Sequence, residues 1–363
     1  MPRASELTEE LHRRGPRPAG SDAERRAAAW AARQVDADPR RQVRTDTLWL
    51  RPGWRGAQFA HIVLAVLASL LSTTHALVGL ILLATALLAM LADWRWCRSP
   101  GRLLTRERAT QNVVSVSTRT PRVRLILTAN LDTTEHDPRL DTTLPGWLFW
   151  VVLATAWLLL TALARLEGSH TLAVAVLQLI PTVALILAAA GLALGGRPAD
   201  NAGGVAAALT LLRLLDAAPP AHLGVDLVLS GAGVGDGQGL RRLLRAERRA
   251  RTAPTTVVLG FSAGPTAPTA PPGPHDPTQF LASEGPLLPL GCFSPLRRLA
   301  GDTGLLRPGI SRGVGPALPA RLRRLPALDL RGDPDALVQA GLELVDRIDA
   351  YVGEIAARGR QTG

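Results

Sequence analysis

Two stretches of this sequence are almost purely apolar, and the remainder alternates between short apolar runs and polar breaks. From Gly56 to Ala92 there is no Asp, Glu or Arg. That run is too long for one membrane helix and fits two of about 18 residues, with the uncharged Ser72-Thr73-Thr74-His75 as the turn. A second pair follows, Thr142 to Ala164 and Gly168 to Gly196, parted by Arg165-Leu166-Glu167. Pro181 inside the last run predicts a kink rather than a break, because neighbouring helices satisfy the freed carbonyl. Soluble cores rarely need charge-free runs of this length, so the pattern predicts four transmembrane helices in two hairpins.

Arginine placement predicts the orientation. Arg51 and Arg55 precede the first run, and Arg95, Arg98 and Arg102 follow the second. Arg139 precedes the third run and Arg197 follows the fourth, while the two turns hold only Arg165, offset by Glu167. The positive-inside rule then puts both termini and the middle segment in the cytoplasm of a multi-pass protein of the cell membrane. Trp94, Trp96, Trp147 and Trp150 fall where interfacial aromatics belong.

With the hairpins set aside, the rest reads as one α/β domain. Residues 4–14 and 21–35 have the pattern of polar helices, the second capped by Ser21, and residues 42–50 that of a strand. Strands are expected at Asn112–Ser117, Arg122–Ala129, Val225–Ser230, Thr255–Phe261 and Pro326–Leu330. Helices are expected after Asp200, from Leu240 to Arg251 and from Leu337 to Ala357, and residues 262–290 read as a proline- and glycine-rich loop. This alternation predicts a mainly parallel, mixed sheet flanked by helices. The expected division is residues 1–55, 94–141 and 197–363 for the α/β domain, with hairpins at 56–93 and 142–196.

Composition adds little. The net charge is +11 and all 41 basic residues are arginine, a bias typical of GC-rich coding, and no arginine run alternates with aromatic platforms. No nucleic-acid partner is therefore expected. Cys97 and Cys292 lie far apart and suggest neither a metal knuckle nor a disulfide framework. The polar N-terminus lacks an apolar core, so no cleavable signal peptide is expected.

Chemistry is concentrated in three places. Asp200-Asn201-Ala202-Gly203-Gly204 opens a helix, with two good N-cap residues and two glycines that admit another backbone. Asn130-Leu131-Asp132-Thr133-Thr134 ends a strand. Gly231 to Gly239 carries glycine at every second position, which matches neither a dinucleotide fingerprint nor a P-loop. Anion binding at that turn would be favoured by Arg241, Arg242 and Arg245. His61 within the first apolar run is expected to be hydrogen-bonded inside the bundle.

In this order the motifs resemble the di-zinc exopeptidase family of bacterial leucyl aminopeptidases and glutamate carboxypeptidase. The stretches that carry the resemblance are GPRPAGS at 15–21, Asn112-Val113-Val114, TANLDTT at 128–134, ADNAGGVAAAL at 199–209, SGAGVG at 230–235 and VVLGFSAG at 257–264. With the hairpins excised it covers most of residues 6–350. The family holds two zincs bridged by a carboxylate, with a glutamate as general base. By this resemblance Asp200 is the bridging aspartate, Asp132 orients the first histidine ligand, and Asn201 follows the bridge. The histidine itself is replaced by Asn130, the base and its neighbouring ligand by Gly233 and Val234, and a ligand aspartate by Phe261. A final histidine ligand is expected near the C-terminus, yet the last histidine is His275. His136 with Glu135, and His222, are scattered candidates for substitutes.

One carboxylate cannot hold a catalytic zinc, and without the base no water is activated. The resemblance therefore implies a degenerate, membrane-inserted pseudo-peptidase with no cofactor, in contact with the lipid bilayer and binding or scaffolding a peptide or membrane-protein partner. The competing reading is a zinc-dependent aminopeptidase with an unrecognised metal set. A third is an anion-binding module at 231–239.

Overall fold

The most apolar strands of the sequence form the centre of the sheet. In the computed structural model, which describes residues 3–36, 38–119, 121–138, 146–194, 196–248, 255–263 and 278–361, Leu223–Ser230 is buried at every position. Strands run β1 Arg41–Leu50, β2 Arg108–Ser117, β3 Val123–Asn130, β4 Thr134–Pro138, β5 Gly196–Ala199 and β6 Leu223–Ser230. They continue with β7 Thr256–Ala263, β8 Gln279–Glu284, β9 Leu290–Gly291, β10 Arg307–Ser311 and β11 Ala327–Gly332. Among the described residues the main sheet has the order β1-β2-β6-β3-β7-β11-β8-β10, with β9 beside β8. Its middle, β6-β3-β7-β11, is parallel, and antiparallel pairs flank it. This is the mixed sheet that the alternation of strands and helices predicts.

Helices cover both faces. On one lie α1 Ala4–Arg13, α2 Asp22–Val35, α8 Ala202–Ala217 and α12 Pro334–Gln361, whose apolar stripes meet Leu127, Leu227 and Leu259. On the other, α9 Gln238–Ala246 and α11 Leu318–Arg321 cover Ile126, Val228 and Val258. Ser21 caps α2 through a bond from the Glu24 N–H at 3.1 Å.

Four long apolar helices stand apart with a core of their own: α3 Trp54–Leu71, α4 Ala76–Trp96, α6 Trp147–Leu166 and α7 Leu172–Ala193. They hold 18 to 22 residues and are long and apolar enough to cross a membrane. Small residues such as Ala65, Ala86 and Ala162 lie at their contacts, while Leu88, Leu160, Ile180 and Leu187 point outward and exposed. Inside the bundle, polar groups find one another. The Gln178 Nε2 donates to the Ser69 carbonyl at 2.6 Å, the Arg165 Nε donates to Gln178 Oε1 at 2.7 Å, and Ser69 and Thr182 hydroxyls lie 2.7 Å apart. The helix α7 continues through Pro181.

Each pair of apolar helices is inserted in the connection of an antiparallel strand pair. The first lies between β1 and β2, which are in register from Arg41↔Ser117 to Leu50↔Arg108, with the short helix α5 Pro100–Leu103 on the return path. The second lies between β4 and β5, a two-stranded ribbon in which Pro138 pairs with Gly196. Both insertions thus leave and return at adjacent points of the fold.

Two expectations need correction. The stretch 262–290 is not one loop, since β8 and β9 fall within it, and residues 264–277 lie outside the described residues. The basic helix expected from Leu240 to Arg251 ends at Ala246, where the Glu247 N–H bonds back to Leu243 and its carboxylate meets Arg44. Short elements also go unpredicted, among them α5, β4, β5, α10 Ser294–Gly301, α11 and β10. Their runs are too brief and too interrupted by proline and glycine to show a period.

Candidate functional site

The C-terminal ends of β3, β6 and β7 and the start of α8 face a cavity of about 240 Å³. Such a strand-end crevice is the usual binding position in open α/β sheets. Asn130, Asp200, Asn201 and Val234 all reach it, so four of the positions singled out in the sequence come together. Its other wall is unexpected. Trp54, Gln58, Asp93, Trp94, Trp147 and Leu148, from the ends of the apolar helices nearest the sheet, line the same space.

Asp200 is held from three sides. The buried Arg17 guanidinium forms an ion pair with its Oδ1, which also accepts the Ala202 N–H at 2.9 Å. The His12 Nε2 lies 3.5 Å from its Oδ2. Arg17 is 1% exposed and donates further to the carbonyls of Leu131 at 3.1 Å and Leu11 at 3.0 Å. Asp200, rather than Asn201, therefore supplies the side-chain cap of α8. Asn201 instead clips β7, its Nδ2 donating to the Phe261 carbonyl at 2.9 Å and its Oδ1 accepting the Ala263 N–H at 2.8 Å.

The glycine-rich turn is an internal nest for a carboxylate. Asp132 Oδ1 accepts the N–H groups of Gly233 at 2.7 Å and Val234 at 3.2 Å. Burial, then the neighbouring Glu24 carboxylate, push the Asp132 carboxyl up to about 8 against the pull of these donors. Asn112 clips both ends of the run, accepting the Gly231 N–H at 3.0 Å and donating to the Gly239 carbonyl at 3.0 Å. A Cβ at Gly233 would meet the Asn130 amide and one at Gly235, which has φ +94°, would meet the Trp54 indole. Close packing on both sides accounts for glycine at these positions.

Two of the three arginines expected to favour an anion at this turn have other work. Arg241 donates to the carbonyls of Arg95 at 2.9 Å and Trp94 at 3.3 Å, and Arg245 to that of Trp96 at 2.9 Å. Both therefore cap the C-terminus of α4, where cations are favoured. Arg242 has no such bond among the described residues, and all three arginines line a second depression beside Trp96 and Arg98.

A buried ion network ties the turn to the first hairpin. Arg102, 3% exposed, donates to both Asp93 oxygens, at 2.7 and 3.1 Å, and to Asp236 Oδ2 at 2.6 Å. Gln58 donates to Asp93 at 3.0 Å, and Gln238 to Asp236 at 2.8 Å. Burial holds the Asp236 carboxyl above its ordinary range, against the pull of Arg102. Beside this network, His61 Nε2 accepts the Gly101 N–H at 3.3 Å, so its partner is α5 rather than another apolar helix.

The remaining candidates lie elsewhere. Phe261 points into the core, and the pleat puts Ser262 on the cavity side instead. His222 packs beside Gly353 on α12, its N–H donating to Asp349 Oδ1 at 2.7 Å. The side chains of Glu135 and His136, and all of His275, fall outside the described residues. The donors at Asp200 do not suit zinc, because a single carboxylate with one histidine is already covered by a guanidinium. Among the described residues no three His, Cys, Asp or Glu side chains form a group able to hold a metal.

Comparison with known proteins places these observations among solved structures only. No family model and no curated protein sequence matches the chain. It is similar to a leucine aminopeptidase precursor from Bacteroides thetaiotaomicron, at 13% identity, 94% and 95% coverage of the two chains and a TM-score of 0.48. A Zn-dependent exopeptidase from Parabacteroides distasonis gives 10%, 95% and 96%, and 0.49. The glutaminyl cyclase of Fimbriiglobus ruber gives 13%, 96% and 94%, and 0.48.

Sequence reasoning missed Arg17, His12, Arg102, Arg312 and Arg331, all of which bear on the cleft. Arg17 had a visible signal: it sits between two prolines in the GPRPAGS stretch, where a fixed backbone aims one side chain. His12 is one histidine on a polar helix, and the remaining three are ordinary arginines in a chain full of them.

Proposed function

We propose that this chain is a multi-pass protein of the cell membrane whose α/β domain acts as a binding module with a decayed exopeptidase site. The apolar helices lie in the bilayer as two hairpins inserted at 56–93 and 142–196, with the domain and both termini cytoplasmic. The carrying observation is the double make-up of the cavity. Its floor is built from the altered catalytic positions Asn130 and Val234 with the retained Asp200, and its roof from the ends of the apolar helices. Among the described residues each carboxylate that lines the cavity is paired with a guanidinium, Asp200 with Arg17 and Asp93 and Asp236 with Arg102. The amide of Asn130 fills the flank of Gly233, and together these features support a cleft that holds a ligand over one that activates water. Fold alone does not carry this reading; the residues of the site are what support it.

Elemental analysis of detergent-purified protein beside an Asp200→Ala variant tests it. Less than about a tenth of a zinc per chain in both supports the reading, since a competent site needs bound metal. One to two zincs, lost in the variant, overturn it in favour of a zinc exopeptidase with an unforeseen ligand set. Alkaline carbonate extraction of native membranes tests the membrane part separately, with the chain expected in the pellet.

A further inference from the structure

The cavity has two unlike ends. Towards the bundle, the Trp54 and Trp147 rings lie 6.4 Å apart, and Leu148 follows. Arg331, on β11, lines it from the sheet, and Arg312, just past β10, lines it from beside the start of α6. The other arginines that line it, Arg102 and Arg241, are fully engaged with carboxylates or helix-end carbonyls. Arg312 and Arg331 form no ion pair among the described residues, and the Arg331 Nε is buried with no hydrogen-bond acceptor. The Arg312 stem runs past Gly146 at the start of α6, where a Cβ would come 3.5 Å from its Cδ. A buried guanidinium N–H without an acceptor is costly and awaits one. Guanidinium forks match phosphate oxygens in pairs, and tryptophans at a helix end suit the level where headgroup meets acyl chain.

We propose that the cleft binds the phosphate headgroup of an anionic lipid. Arg312 and Arg331 hold the phosphate, while Trp54, Trp147 and Leu148 flank the glycerol end of the chains. A space of about 240 Å³ is nearer the size of a headgroup than of two acyl chains. This deepens the binding-module reading and rests on its placing the apolar helices in the bilayer.

The test uses the full chain in nanodiscs of phosphatidylcholine with one part in five of phosphatidylglycerol, released into native mass spectrometry. The wild type is expected to retain phosphatidylglycerol over phosphatidylcholine, and R312Q/R331Q to lose that retention by about tenfold or more, because charge-assisted bonds are removed. An R98Q/R106Q variant, with the same change of charge outside the cavity, is expected to keep it. R312K/R331K is expected to keep part of it, with unchanged thermal unfolding as the check on folding. Equal retention of both lipids, or no loss in R312Q/R331Q, overturns the proposal. Inorganic phosphate or a Leu-Gly dipeptide raising the unfolding temperature as much as phosphatidylglycerol overturns the lipid assignment. Carbonate extraction of the same chain is scored independently, so failure of the membrane reading is seen even if a lipid binds in micelles.

Discussion

The side-chain amide of Asn130 occupies the volume that a Cβ at residue 233 would need. The asparagine is fixed there, its Oδ1 accepting the Ser230 hydroxyl at 3.1 Å. Gly233→Glu is therefore expected to destabilise the protein by about 1–3 kcal/mol, as overpacking does. The Asn130→Ala/Gly233→Glu pair is expected to recover about 1 kcal/mol or more of that loss. Thermal unfolding of the four proteins of the cycle in detergent measures this, and strict additivity would show that the two side chains do not compete for one space.

Among the described residues Arg102 is the one cation in ion pairs with both Asp93 and Asp236, and the setting is buried. Arg102→Ala strands two carboxylates and is expected to cost about 3–5 kcal/mol. Adding Asp93→Asn and Asp236→Asn is expected to restore a large part, since neutral amides need no counter-charge. Chemical denaturation followed by tryptophan fluorescence distinguishes these outcomes.

Glu284 is fully buried beside Asp329, and burial followed by the Asp329 charge hold its carboxyl well above the ordinary 4.5. In the unfolded chain this group loses its proton near 4.5, while in the folded chain it keeps the proton to higher pH. The folded state then binds more protons, so its contribution to stability is complete below 4.5 and declines as pH rises above it. Glu284→Gln is expected to flatten that decline between pH 4.5 and neutrality. Unfolding temperature against pH for both proteins is the measurement, and an unchanged slope would rule the group out.

Ile180 sits mid-way along α7 and faces outward, 65% exposed. With lipid around it, Ile180→Arg is expected to cost about 3 kcal/mol of insertion of α7 and to lower the amount of chain recovered in the membrane fraction. A polar substitution on a water-facing helix would leave fractionation unchanged.

The four apolar helices were legible because an absence of charge over dozens of residues survives any local ambiguity, and the central strands because β6 and β7 are buried on both faces. β8 to β10 were not, since Pro286, Gly291 and Pro308 interrupt runs of two to six residues. At the site, Asp200 and Asn130 could be found from their motifs, but Phe261 could not be placed to within one residue. A one-residue step in a strand moves a side chain from cleft to core, and here it is Ser262 that faces the cleft. Arg17 and Arg102 act through contacts more than a hundred residues away, which no local pattern encodes.

The placement of both hairpins inside strand connections has a consequence for the order of assembly. β3 must find β6 across the whole second hairpin, and β1 must find β2 across the first. During synthesis the chain delivers each apolar pair before the partner strand exists, so the sheet closes only around helices that have already come together. The cavity, with one wall from each part, comes into being last. A ligand seated there would report that the entire molecule, bundle and sheet alike, had been completed.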